Sequence, residues 1–363
     1  MFTTLPSTRL IILLLSALIA AACGTSPGAK KSPSQNSPKT TASTGHGSGA
    51  SNAAADSSTS AGSSSGSGAK SGAASGALTH VIVHTIGHLS VAITKTAAAG
   101  LADGRLIVIG GLVNGTSTDS VWAGKPSGTN MRVIGHLPKP MHDATAARVG
   151  DMVLHIGGGA TAQYDDIRLV DPATGTVRVA GHLPHAASDL GAVTIGDAAY
   201  VVGGFDGTTW LNDVMRIDAV GATPTVVAHL PFGLRYAAVG TVDGKLYVAG
   251  GTRSSGADSA ATFRIDVQTG AVTQLADLTH ATSHAVFVLV DGHLVLAGGR
   301  VGTPGAHEVL AFDADTGATH SIGRLPLGIA DPGAVSLPDG TALLVGGSNA
   351  AGTATDTITQ MQR

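Results

Sequence analysis

The chain has 363 residues, enough for two or three average domains or for one long repeated architecture. Its 51 glycines, 43% hydrophobic residues and 12% charged residues suit many short strands joined by tight turns, and argue against a helical protein. With 21 Lys plus Arg against 24 Asp plus Glu and a net charge of −3, it carries no basic footprint for nucleic acid.

Residues 1–23 read as a targeting segment: Arg9 precedes the apolar run "LIILLLSALIAAA" of residues 10–22, and Cys23, the only cysteine, follows. That run is short for a membrane-spanning helix and about right for the core of a signal peptide. A small-residue triplet directly before a lone cysteine resembles the bacterial lipoprotein signal, in which the cysteine is lipidated and becomes the mature N-terminus. Ala20 stands where that pattern most often has leucine. The resemblance implies an exported protein, lipid-anchored at Cys23 on the outer face of the bacterial cell membrane, with no other membrane contact. An exported domain whose one cysteine is so used has no disulfide to stabilise it. Residues 24–77 are rich in Ser, Gly, Ala and Thr without apolar periodicity, so a disordered tether is expected there. Its mean reach would be on the order of 40 Å.

Residues 78–363 repeat. Gly-Gly pairs begin at Gly110, Gly157, Gly203, Gly250, Gly298 and Gly346, a period of 46 to 48 residues. Each pair ends a strand-like run, as in "VDGKLYVAGG" at 242–251 and "VDGHLVLAGG" at 290–299. Downstream, an Asp-led glycine turn such as "IDVQTGAV" at 265–272 joins two further strands. A leucine motif then closes the unit, as Leu89-Ser90, Leu137-Pro138, Leu183-Pro184, Leu230-Pro231, Leu278-Thr279 and Leu325-Pro326. Four strands per repeat account for the period. The final "TDTITQMQR" corresponds to a third strand, while "THVIVHTIGHLS" at 79–90 is an orphan outer strand, so the N-terminal strand is expected to complete the last blade.

The double glycine, the Asp turn and the Leu-Pro make these units resemble kelch repeats over residues 79–363. The resemblance implies an all-β fold, a six-bladed kelch-type β-propeller of four-stranded blades with the last blade closed by the N-terminal strand. Where kelch repeats usually place a tryptophan before Leu-Pro this chain has Val or Thr, for example Val177 and Val272, which marks a divergent branch. The glycine pairs read as structural, since no glycine-rich loop here has the Lys-Ser or Lys-Thr of a nucleotide cradle. His88, His136, His182 and His229 recur one per repeat and become Asp277 and Arg324 elsewhere. Spread around a ring, they read as connection residues, and no metal and no cofactor are expected.

Strand direction alternates within a blade, so the Leu-Pro connections and the loops after Gly-Gly share one face. Counting 15 residues back from each Gly-Gly gives Lys95, His142, Ser188, Arg235, Ser283 and Asp331, followed by Thr96, Asp143, Asp189, Tyr236, His284 and Pro332. These positions are expected to surround one mouth of the central channel. The loops after Gly-Gly add Arg253 and Arg300 beside Arg235 and His284, a cluster able to clamp a carboxylate or other anion bidentately. The candidate ligand-binding set is therefore Lys95, His142, Asp143, Asp189, Arg235, Tyr236, Arg253, His284, Arg300 and Asp331; the plainer alternative is that these side chains only solvate the channel entrance.

Two functions compete. The one favoured by the residues is a monomeric binding module for a protein or envelope polymer, with Phe205, Trp210 and Phe232 as apolar anchors. The other follows from similarity to the bacterial sialic acid mutarotases, which are exported kelch propellers: Arg235 and Arg300 would hold the carboxylate of a small sugar acid while His142 or Asp143 moved protons. Galactose oxidase chemistry, which needs a cysteine crosslinked to a tyrosine, is excluded because the propeller region has no cysteine. A compact pocket at the mouth would favour the enzyme, and a flat exposed aromatic patch the binding module.

Overall fold

The computed structural model describes residues 76–363 except 128–129, 219–222 and 303–304. The targeting segment, Cys23 and the tether up to residue 75 lie outside the described residues. The chain divides into Met1–Gly68 and Ala69–Arg363, and the second unit carries the fold. Among the described residues there is no helix.

The strands run in chain order. First come β1 (Ile82–Ile93), β2 (Ala97–Gly100), β3 (Leu106–Ile109), β4 (Leu112–Val113), β5 (Thr116–Gly124) and β6 (Arg132–Val149). They are followed by β7 (Met152–Gly159), β8 (Asp166–Val170) and β9 (Val177–His182). Next are β10 (Gly191–Ile195), β11 (Ala198–Val202), β12 (Asp213–Asp218), β13 (Thr225–His229), β14 (Ala238–Val242), β15 (Lys245–Ala249), β16 (Thr262–Asp266) and β17 (Ala271–Gln274). Last are β18 (Val286–Val290), β19 (His293–Ala297), β20 (Glu308–Phe312), β21 (Thr319–Arg324), β22 (Gly333–Ser336), β23 (Ala342–Val345) and β24 (Thr355–Gln362). Short hairpins make this possible: Asp243-Gly244 and Asp291-Gly292 take positive φ at both positions, the type I′ geometry that matches strand twist.

The expected six separate four-stranded blades are not what forms. Four sheets are four-stranded, namely β10 to β13, β14 to β17, β18 to β21, and β22, β23, β24 with β1. The first two repeats instead share one eight-stranded sheet in the order β2-β3-β5-β6-β7-β8-β9, with β4 paired to β5. The cause is β6, assigned as strand over 18 residues and pairing with β5 through its first part and β7 through its second. Pro138 and Pro140 lie in its middle, and prolines hold themselves and the residues before them in extended backbone. The first and last described strands meet in one sheet, where β1 pairs antiparallel with β24 from Ile82↔Gln362 to Ile93↔Thr355.

Apolar layers lie between successive repeats. Leu154, Ile156 and Ile167 pack on Val201, Met215 and Ile217, and the same relation joins Tyr200 and Val214 to Val248 and Phe263. The layer between Leu106, Trp122 and the pair Leu343, Ile358 closes the series between the first repeat and the last.

The glycine pairs bind each repeat to the next. The second glycine's amide donates to a carbonyl of the following repeat: Gly111 to Met141, Gly158 to Ala187, Gly204 to Leu234, Gly251 to Thr282, Gly299 to Ile329 and Gly347 to Ile93, all at 2.7 to 2.8 Å. The first glycine packs against that same carbonyl. A Cβ at Gly250 would stand 2.1 Å from Thr282 O, and its φ of 68° is one that L side chains rarely adopt. The His-Leu-Pro histidines have a different job on the outer rim, where His88 meets Asp356 at 3.0 Å, His136 meets Asp119 at 3.2 Å and His229 meets Asp213 at 2.8 Å. In the fifth repeat the same arrangement recurs, with Glu308 opposite Arg324.

Replacing Gly250 by Ala should therefore cost about 2–4 kcal/mol, the range for overpacking combined with strained backbone. Urea unfolding of the two proteins checks this, with Gly256→Ala as the control: its φ is also positive, at 82°, but there is open space at its Cβ.

Candidate functional site

Six residues that are not glycine share a left-handed backbone: Lys95, Asp143, Asp189, Tyr236, His284 and Asp331, with φ between 53° and 61°. They come one from each repeat, and their backbones close a ring. The amide of Asp143 donates to Lys95 O, Asp189 to Asp143 O, Tyr236 to Asp189 O, His284 to Tyr236 O, Asp331 to His284 O and Lys95 to Asp331 O, at 2.8 to 3.1 Å. Left-handed backbone costs a residue with a Cβ about 1 kcal/mol or more, and it persists only where the surroundings over-determine it. Here the ring does so.

This ring corrects the count made from Gly-Gly. The hairpins after β2 and β22 use residues 101–105 and 337–341, whereas their counterparts use two residues, so the first and last repeats are one residue longer between ring and glycine. His142, Ser188, Arg235 and Ser283 therefore precede the ring, and Thr96 and Pro332 follow it. The preceding layer reaches the loops after Gly-Gly through bridges such as Arg235↔Thr252 and Ser283↔Arg300. That pairing places Arg300 next to the ring.

The ring side chains line a cavity of about 120 Å³. Lys95 Nζ donates to Asp143 Oδ2 at 2.8 Å and to Tyr236 OH at 3.3 Å, so it links two other members of the ring. Tyr236 OH donates to Asp143 Oδ2 at 3.3 Å and accepts from Arg235 Nη2 at 3.1 Å. The Tyr236 ring stacks on His284, centroids 3.9 Å apart. Arg300 Nη2 donates to Asp331 Oδ2 at 3.0 Å, and His284 Nδ1 meets Ser283 Oγ at 2.7 Å. Beyond the ring, toward the opposite face, the axial channel widens to about 520 Å³ with walls that include Ala98, Ala146, Ala192 and Val335. Ionisable chemistry is concentrated at the ring end.

Asp189 is the odd member. It is 5% exposed, and Arg235 Nη2 makes ion-pair contact with its Oδ2, yet neither carboxylate oxygen receives an aligned hydrogen bond. The Nε atoms of Arg235 and Arg300 are likewise buried without a partner. Burial, and then the charge of Asp143, push the Asp189 carboxyl up to about 7, with Arg235, the Tyr236 hydroxyl and Lys95 pulling the other way. Burial raises Asp331 to about 6 against the pull of Lys95 and Arg300. Burial also drives His284 down to about 2, helped by the positive charges of Arg300, Lys95 and Arg235, so this imidazole is neutral. For Lys95, burial is the largest influence and acts downward, but Asp143, Tyr236 and Asp331 outweigh it and the ammonium is held charged.

The other expected residues lie around this centre. His142 Nε2 stands 3.7 Å from Asp143 Oδ2, its Nδ1 meets Ser117 Oγ at 2.9 Å, and burial lowers its pKa. Arg253 is held over the ring of Phe232 at 3.9 Å, apart from the Arg235 and Arg300 contacts just described. Arg235 lies over Phe205 at 4.5 Å and Tyr236 at 4.7 Å, with Phe205 edge-on to Trp210 at 4.7 Å. Away from the mouth, Asp165, Asp166 and His182 bring ligand atoms within 4.8 Å of one another. Sequence reasoning passed over those two aspartates, and the Arg168 guanidinium, 2.6 Å from Asp166 Oδ2, already supplies a cation there.

Because Asp189 binds its proton more tightly folded than unfolded, where a carboxyl titrates near 3.9, folding stability falls as pH rises from about 4 to about 7 and is level above. Asp189→Asn removes that dependence. The stability of the variant relative to the parent should therefore rise through this window by up to about 1.4 kcal/mol per pH unit, measured by urea unfolding at several pH values.

By sequence, a kelch motif model matches residues 186–222 and 233–279, within the third and fourth repeats. No curated protein matches the chain. Among solved structures, that of YjhT superposes with a TM-score of 0.64 and 16% sequence identity, covering 77% of this chain and 100% of that one. The chain has a kelch-type β-propeller-like fold, structurally related to YjhT.

Proposed function

We propose that the ring-lined mouth binds a small carboxylate-bearing sugar, a sugar acid, and moves protons on it. The observation that carries this reading is the small cavity lined by the ring side chains together with two arginines in the layer just before the ring, Arg235 and Arg300, whose Nε atoms are buried and unpartnered. Guanidinium groups suit a carboxylate, and the carboxyls of Asp143, Asp189 and Asp331 suit sugar hydroxyls. At about 120 Å³ the cavity is well below the volume that encloses a drug-sized ligand. The anionic head is therefore held at the edge of the cavity by Arg235 and Arg300, and the remainder of the sugar rests on Phe205 and Trp210.

The aromatic residues that would anchor a protein partner support this choice. Phe205, Trp210 and Phe232 are half-buried under Arg235 and Arg253 rather than spread as an exposed patch. Asp331, raised to about 6, is poised to exchange protons near neutral pH, as mutarotation requires. In that reaction a carboxylate takes the proton of the anomeric hydroxyl while a carboxyl protonates the ring oxygen, and the C–O bond to that oxygen breaks. Reclosure on the other face returns both protons. Asp143, engaged by Lys95 and Tyr236, is the positioned carboxylate, and His142 supports it from 3.7 Å. We place this activity outside the cell membrane, on a chain anchored through Cys23.

A thermal-shift series on the full-length chain with N-acetylneuraminic acid, other sugar acids and neutral sugars tests the reading. The expected result is a rise in Tm with a sugar acid, none with its neutral counterpart, and loss of the shift in Arg235→Ala and in Arg300→Ala. A shift that survives both substitutions, or none with any sugar acid, would overturn it.

A further inference from the structure

Resting on the sugar-acid reading of the mouth, we propose that ligand binding is coupled to proton uptake at Asp189: the incoming carboxylate draws Arg235 away, and the freed Asp189 carboxylate takes one proton from solvent. The charges around the ring lead to this assignment. Lys95 is committed to Asp143, which also accepts from Tyr236 OH, and Arg300 is committed to Asp331. His284 is neutral and offers no compensating charge. That leaves Arg235 as the cation in contact with Asp189, and its contact there is an ion pair without aligned hydrogen bonds.

Arg235 therefore faces two anions once a carboxylate enters. Its guanidinium also donates to Tyr236 OH and lies over Phe205, so it already sits at the rim where the ligand arrives. Asp189 cannot follow it out, because its backbone is fixed in the ring between Asp143 O and the Tyr236 amide. The Asp189 side chain is 1% exposed and faces Asp143, a like charge, together with Lys95 and Tyr236. A buried carboxylate deprived of its cation beside another carboxylate takes a proton rather than remain charged. The exchange is electroneutral: one anion and one proton enter together, and the neutral carboxyl gains an O–H that it can donate to a ligand oxygen. Affinity should accordingly fall as pH rises above the range in which Asp189 titrates, approaching about tenfold per pH unit.

Isothermal titration of N-acetylneuraminic acid into the full-length chain at pH 8, in phosphate and in Tris, reads the coupling directly, since the two buffers release protons with different heats. The expected result is a buffer-dependent enthalpy equivalent to nearly one proton taken up per ligand, lost in Asp189→Asn. Kd for the unsubstituted chain, measured from pH 7 to pH 9, should rise in parallel and needs no variant to fold. Binding with the same enthalpy in both buffers and a flat Kd, or uptake that persists in Asp189→Asn, would overturn the coupling while leaving the sugar-acid reading intact. Absence of binding in every arm would remove the sugar-acid reading and this inference together.

Discussion

The hydrogen bond from the second glycine of each pair to a carbonyl of the following repeat is the contact on which the rest of the molecule depends. It forms because the first glycine brings no Cβ into a space where the neighbouring carbonyl already sits, and because both glycines adopt positive φ. The same carbonyl belongs to the residue two positions before the next ring residue, as Thr282 does for His284. Each glycine pair thus sets the height and rotation at which the following inner strand begins. Apolar burial between the sheets supplies the bulk of the stabilisation, but it is non-directional and would tolerate sliding. The glycine contact removes that freedom.

The functional site is a consequence of the same geometry. Six inner strands, started at a common level, bring six amides and six carbonyls close enough to close a cycle, and closing it requires left-handed backbone at all six positions. Glycine would adopt that conformation at lower cost, yet the chain places Lys, three Asp, Tyr and His there. Strain borne by side chains that all line one cavity points to a use for those side chains. What results is a rigid polar pocket in which burial sets protonation: His284 is held neutral, Lys95 charged, and Asp189 and Asp331 are moved toward neutral pH.

Much of this was legible in the sequence. The glycine period located the repeats, and the orphan strand at 79–90 beside a truncated last repeat anticipated the pairing of β1 with β24. The polar positions at the mouth were found to within one residue. The slip arose where a hairpin of five connecting residues replaces one of two, a difference invisible to a fixed count from Gly-Gly. Fusion of the first two repeats into one sheet was missed because the extended Leu137 to Met141 connection resembles, as a motif, those that interrupt the strands elsewhere. The contact of Arg235 with Asp189 joins residues from adjacent repeats whose nearness depends on ring closure, and the Arg253 side chain turns to Phe232 although its position in the chain is like that of Arg300. Repetition reveals which residues are equivalent. It does not reveal which of them face one another.

A crystal structure of the protein with N-acetylneuraminic acid at saturating concentration would test the central claim, that ring closure builds an anion site, most directly. The account predicts the ligand carboxylate within hydrogen-bond distance of the Arg235 and Arg300 guanidinium groups, with the ring hydrogen bonds unbroken and Arg235 moved off Asp189. A mouth left unchanged and empty, or a ligand lodged instead in the Ala-lined channel at the opposite end, would contradict it.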